Sequence, residues 1–83
     1  MNMEVYTCKV WDGRLGEWVN IGVFSSCAKA QGNGSLYITE ICPEVSLLDW
    51  ERDEGCYTDW YQSSGGTAFT RVVEKAIVDQ RLA

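Results

Sequence analysis

Glu17–Phe24, EWVNIGVF, is the stretch around which the chain is organised. Val19, Ile21 and Val23 recur with a period of two, which predicts a strand that turns one apolar face to a core. The other segments are placed as its partners. Met3–Trp11, MEVYTCKVW, is rich in strand formers and carries Tyr6, Cys8 and Val10 on one side. Asp12-Gly13 opens a loop through Arg14, Leu15 and Gly16, so the two strands form an antiparallel hairpin whose connection exceeds a two-residue turn.

Downstream, SSCAKAQGNGS offers Ser25 or Ser26 as the cap of a short helix through Gln31, with Gly32 ending it. A long hairpin turn around Asn33-Gly34 is the competing reading, and the helix is preferred because Ala28, Lys29, Ala30 and Gln31 are good helix formers. Leu36–Cys42, LYITEIC, reads as a third strand with apolar residues on both faces, stopped by Pro43. The segment PEVSLLDWERDEG fits either a short helix starting at Pro43 or an irregular edge. Gln62–Gly66 forms a hinge.

Thr67–Leu82 then reads as an amphipathic helix. Phe69, Val72, Val73, Ala76 and Ile77 follow i, i+3, i+4, i+7, i+8, with Arg71, Glu74, Lys75 and Asp79 outside and Arg81 suited to the negative helix end. The expected fold is one α+β domain over 1–83: a small antiparallel sheet of three or four strands, with a ββαβ core, covered by a C-terminal amphipathic helix.

With 83 residues there is room for one domain, and an apolar fraction of 46% supplies enough burial to fold it. Cys8, Cys27, Cys42 and Cys56 include no CxxC knuckle, and the chain has no histidine, so no zinc site is expected. The N-terminus lacks the basic start and apolar run of a secretory signal, which points to four reduced thiols in a cytoplasmic protein. No stretch approaches the ~20 apolar residues of a membrane span.

Without histidine, the usual triads and imidazole acid–base chemistry are excluded. No cysteine has an evidently electropositive neighbourhood, and the glycine-rich GNGS and SSGGT lack a Walker lysine, so they read as turn and cap rather than phosphate cradles. The chain is read as a non-enzyme that uses no cofactor and no metal.

Charge carries the functional signal. Residues 40–61 hold seven acids and one base, Arg52, within a chain of net charge −5. Glu44, Asp49, Glu51, Asp53, Glu54 and Asp59 interleave there with Trp50, Tyr57, Trp60 and Tyr61. A surface that joins negative charge to rigid aromatic anchors suits protein docking. Direct nucleic-acid binding is disfavoured, because such a segment repels phosphate, and a charge-steered partner is basic.

VYTCKVWDGRLGEWVNIGVFSSCAKAQ followed by LYITEI resembles small phage-encoded proteins of unknown function over roughly residues 4–41. The resemblance and the acidity together imply an inhibitor of a bacterial defence system, acting in the host cytosol, with an anti-CRISPR protein its most specific version. Its target would be a basic, nucleic-acid-handling surface such as that of a CRISPR effector complex. Glu44, Asp49, Glu51, Asp53, Glu54 and Asp59 would replace phosphates, and Trp50, Tyr57 and Trp60 would anchor. The alternative is a structural or regulatory interaction module that forms a homodimer through a sheet edge.

Overall fold

The computed structural model describes residues 2–79. Its elements run β1 (Asn2–Asp12), β2 (Glu17–Phe24), α1 (Cys27–Ile41), β3 (Ser46–Asp53), β4 (Cys56–Gln62) and β5 (Ala68–Asp79). The strands form one antiparallel sheet in the order β2-β1-β5-β4-β3, and α1 packs against one of its faces. Five strands and one internal helix replace the expected three- or four-stranded ββαβ sheet under a C-terminal helix.

The largest correction concerns β5, which is a central strand where a helix was expected. Val72-Val73 and Ala76-Ile77 are adjacent apolar pairs, so the segment satisfies a helical period and also presents apolar residues on both faces of a strand. Composition decides between them: Phe69, Thr70, Val72, Val73, Ile77 and Val78 are aromatic or β-branched, and such side chains fit a pleated surface better than a helix. Pairing with β1 over Asn2–Asp12 and with β4 over Cys56–Gln62 then satisfies both backbone edges over residues 69–74. The last part of the expected helix, including Arg81, lies outside the described residues.

The second correction joins two expected elements. The helix starts where Ser26 predicts, its hydroxyl accepting from the Lys29 amide at 3.2 Å, but it continues through GNGS to Ile41 and absorbs the expected third strand. Ala30, Gly34 and Ile38 are buried along one stripe, with helical spacing. Gly34 costs about 1 kcal/mol of helix propensity relative to alanine. It is kept by close approach: a Cβ there would stand 2.8 Å from both Cys8 Sγ and Arg71 Cδ. Helix and sheet therefore meet at a glycine, and Pro43 stops further helical growth.

The β1–β2 hairpin forms as expected, with β2 spanning the anticipated residues. Its inward face needs one amendment. A bulge between Cys8 and Lys9 leaves Ile21 unpaired, so the alternation changes phase; Phe24 turns toward the helix and Val23 is exposed. Gly22, at φ 150°, occupies a backbone region that favours glycine at this bend.

The core has two parts. Val10, Ile38, Cys42 and Phe69 form one, with Tyr37, Ile41, Val45 and Tyr61 around it; Cys8, Ala30 and Val73 form the other, bordered by Tyr6, Phe24, Cys27 and Tyr57. Burial raises the pKa of the Cys8 thiol. All four cysteines are free. No helix among the described residues is long and apolar enough to cross a membrane.

Residues 2–5 of β1 and 76–79 of β5 pair only with each other, beyond the ends of β2 and β4. Ile77 sits on this two-stranded projection and is 64% exposed, so its expected role beneath a sheet-covering helix does not hold. Ile77→Ala should accordingly change the denaturation free energy by no more than about 0.5 kcal/mol, the range of surface substitutions. A loss of 2 kcal/mol in urea melts would contradict this exposed placement.

Two buried polar centres tie the layers together. Asp59 and Arg71 are both buried: Arg71 Nε donates to Asp59 Oδ2 at 2.9 Å, and its Nη2 pairs with the same oxygen. Arg71 Nη1 reaches across to α1, donating to the Gln31 carbonyl at 2.9 Å and to the Ser35 hydroxyl. Asp59 Oδ1 accepts from Arg52 Nη2 at 2.9 Å. Asp12, fully buried, accepts from Arg14 Nη2 at 2.8 Å, from the Arg14 amide at 2.9 Å and from the Tyr37 hydroxyl at 2.8 Å.

The Arg14 side-chain bonds, assisted by those from Tyr37 and the Arg14 amide, hold the Asp12 carboxyl down to about 2 against desolvation. A carboxyl whose folded pKa lies below its unfolded value stabilises the fold above the ordinary carboxylate range, near pH 4, and that stabilisation is lost as pH falls through about 2. Asp12→Asn should therefore flatten the decline in melting temperature between roughly pH 4 and pH 2. An unchanged acid limb would show that Asp12 does not set it.

Candidate functional site

Residues 43–61, which the sequence leaves between helix and irregular edge, fold as the β3–β4 hairpin. Asp53 and Cys56 are its last pair, so Glu54 and Gly55 form a two-residue loop, with Gly55 at φ 73° in the position a type II turn reserves for glycine. β3 is the outer strand, and all eight of its residues are exposed.

The pleat divides the expected binding segment between two faces. Asp49 pairs with Trp60, Glu51 with Thr58 and Asp53 with Cys56; paired residues share a face, and these lie on the side of the sheet away from α1. Three carboxylates thus stand in a row about 7 Å apart along the free edge, two residues of strand rise between neighbours. Glu54 is exposed in the turn beside them.

The other residues go elsewhere. Trp50 pairs with Asp59 and faces the helix side, 58% exposed, with the Arg52 guanidinium 5.2 Å from its ring centre. Tyr57 is half-buried against the Cys8, Ala30 and Val73 core, with Arg52 5.4 Å from its ring. Asp59 is buried and engaged by two arginines, which removes it from any surface. Glu44 precedes β3 and is exposed, its Oε1 accepting from Cys42 Sγ at 3.2 Å. Arg71, expected on an outer helical face, is likewise interior.

The structure also assembles a surface that the acidic segment does not announce. Rows of paired residues run across the uncovered face: Asp49, Trp60, Thr70, Trp11 and Trp18 in one, and Glu51, Thr58, Val72, Lys9 and Asn20 in the next. Trp11 and Trp18 meet edge to face, with centroids 5.7 Å apart. Lys9 Nζ lies 4.7 Å from the Trp18 ring centre and 3.9 Å from Glu74 Oε1. Thr7, Cys8, Lys9, Trp18, Asn20 and Glu74 line a shallow depression of about 330 Å³. Trp11 and Trp18 flank the β1–β2 loop symmetrically in the sequence, the signal from which their pairing could be read.

Comparison with protein-family models, curated proteins and solved structures finds no match. Among the described residues, no three histidine, cysteine or acidic side chains are grouped so as to hold a metal ion. The groups that the hairpin presents are charges and rings. A row of exposed carboxylates continuous with Trp60 can pair with cationic side chains and shield them on an aromatic flank.

Proposed function

We propose that this is a non-enzymatic binding protein that docks through the acidic β3–β4 hairpin onto a basic protein surface. The observation that carries the reading is the alignment of Asp49, Glu51 and Asp53 on one face of a fully exposed edge strand, with Glu54 at its tip. Trp60 on the same face and Trp50 on the opposite one supply aromatic area at its margins. The phage-protein resemblance gives the partner a context: a nucleic-acid-handling surface of a bacterial defence complex in the host cytosol, where carboxylates take the place of phosphates. An anti-CRISPR protein is the most specific form of this proposal.

The test converts Asp49, Glu51, Asp53 and Glu54 together to Asn or Gln. Exposed charges contribute little to stability, so the melting temperature should hold. Capture of a basic protein from bacterial lysate, followed by titration of the purified partner, should show affinity falling at least tenfold, with most of its salt dependence gone. Lys29→Ala on the exposed side of α1 should leave binding intact. A partner bound equally well by the quadruple variant would overturn the proposal.

A further inference from the structure

The uncovered edge of β3 makes a sharper statement than charge alone. An edge strand presents backbone N–H and C=O groups that no further strand pairs, and these template the addition of one. On β3 the Trp50 amide donates to Asp49 Oδ1 at 2.8 Å and the Glu51 carbonyl accepts from Arg52 Nη1 at 3.1 Å, local side-chain bonds that an added strand would displace. β2, at the opposite edge, is broken by the bulge and partly buried beside the helix, whereas β3 is exposed throughout. Its two faces also differ in chemistry. Ser46, Asp49, Glu51 and Asp53 lie on the face away from α1, while Leu47, Trp50 and Arg52 lie on the other; Leu48 falls at a bulge.

A second copy is a poor occupant of this edge. Antiparallel self-pairing centred on Glu51 would set Glu51 against Glu51 and Asp49 against Asp53, with Cβ atoms about 5 Å apart, and like charges directly opposite are destabilising. A neutral strand would gain nothing from the carboxylates. A strand with a cationic residue at every second position would place a positive side chain across from each acid, and apolar residues in between would fall beside Leu47 and Trp50. The chain's own cations show the rings' capacity for such company: Arg52 stacks on Trp50, and Lys9 rests on Trp18.

We propose that β3 accepts an extended segment of a partner protein by strand addition, the segment alternating basic and apolar residues so that its basic face meets Asp49, Glu51 and Asp53. This rests on the docking reading above and names both the partner's local chemistry and its conformation. The charges that keep β3 from pairing with itself then select its occupant.

The experiment uses the full chain and four ten-residue peptides: one alternating arginine and valine, one of the same composition with the arginines grouped at one end, and two copies of the alternating peptide N-methylated on alternate backbone nitrogens, one in each of the two registers. Tryptophan fluorescence reports binding, and amide hydrogen exchange reports β3. The alternating peptide should bind at least tenfold more tightly than the grouped one, protect amides of β3, and lose binding on N-methylation in one register only. Asp49→Asn with Glu51→Gln and Asp53→Asn should abolish the preference. Equal binding of the alternating and grouped peptides, or indifference to both methylation registers, overturns strand addition and leaves the docking of cations by charge standing. Failure of every peptide to bind overturns both, and retained preference in the triple variant overturns the assignment of the basic face.

Discussion

Asp59→Ala is expected to destabilise the fold by about 3 to 5 kcal/mol, the cost of leaving a buried charge without its partner. Arg71 would keep its contacts with the Gln31 carbonyl and the Ser35 hydroxyl but would lose the carboxylate that balances it in the interior. Marginal stability scales at roughly 0.05 to 0.15 kcal/mol per residue, so for a chain of this length the loss approaches a large part of the total. Urea denaturation followed by far-ultraviolet circular dichroism should show a midpoint shifted strongly downward, or a chain already unfolded at 25 °C. A cost under 1 kcal/mol would mean that Arg71 finds water or another anion and that the pair is not interior.

The same site supplies the control that separates charge from volume. Asp59→Leu combined with Arg71→Met removes both ions and fills the space with apolar atoms, and replacing a buried ion pair in this way is often neutral or stabilising. The double variant should recover most of the stability lost by Asp59→Ala. Recovery would show that the pair is a constraint on which side chains can meet beneath α1 rather than a net source of stability.

This pair also shows what was legible in the sequence and what was not. Asp59 reads as one more acid in an acidic segment, and Arg71 as a solvated position on a helix, because the sequence neighbours of each suggest nothing else. They meet because Asp59 and Arg71 are register partners on β4 and β5, a pairing that no local pattern specifies. The β1–β2 hairpin and the Ser26 cap were legible, since both depend on residues close in the chain. The length of α1 was not: GNGS carries breaker residues, and the approach of Cys8 and Arg71 that calls for a glycine at position 34 comes from strands distant in sequence. At the candidate site, the acidity of the segment was readable, whereas its division between two faces awaited the strand assignment. Once β3 is a strand, Asp49, Glu51 and Asp53 fall on one side by period alone, and Trp50 falls on the other.

The second large effect tests the reassignment of the terminal segment itself. Phe69→Ala should cost about 3 to 5 kcal/mol, because Phe69 is 1% exposed and packs with Val10, Ile38 and Cys42 where the helix crosses the sheet. Phe69→Leu retains most of the apolar volume and should cost clearly less, since shape changes in a packed core are tolerated better than cavities. A C-terminal amphipathic helix would put Phe69 and Ile77 on one buried stripe, two turns apart, and truncating either would then be costly. In a strand they also share a face, but α1 covers only the half of β5 that holds Phe69, while Ile77 stands on the uncovered projection. Equilibrium unfolding of Phe69→Ala and Ile77→Ala in parallel should therefore give costs that differ by at least 2 kcal/mol, on the magnitudes expected for core and surface sites. Equal and large costs would restore the helix; equal and small costs would mean that the described core does not form beneath α1.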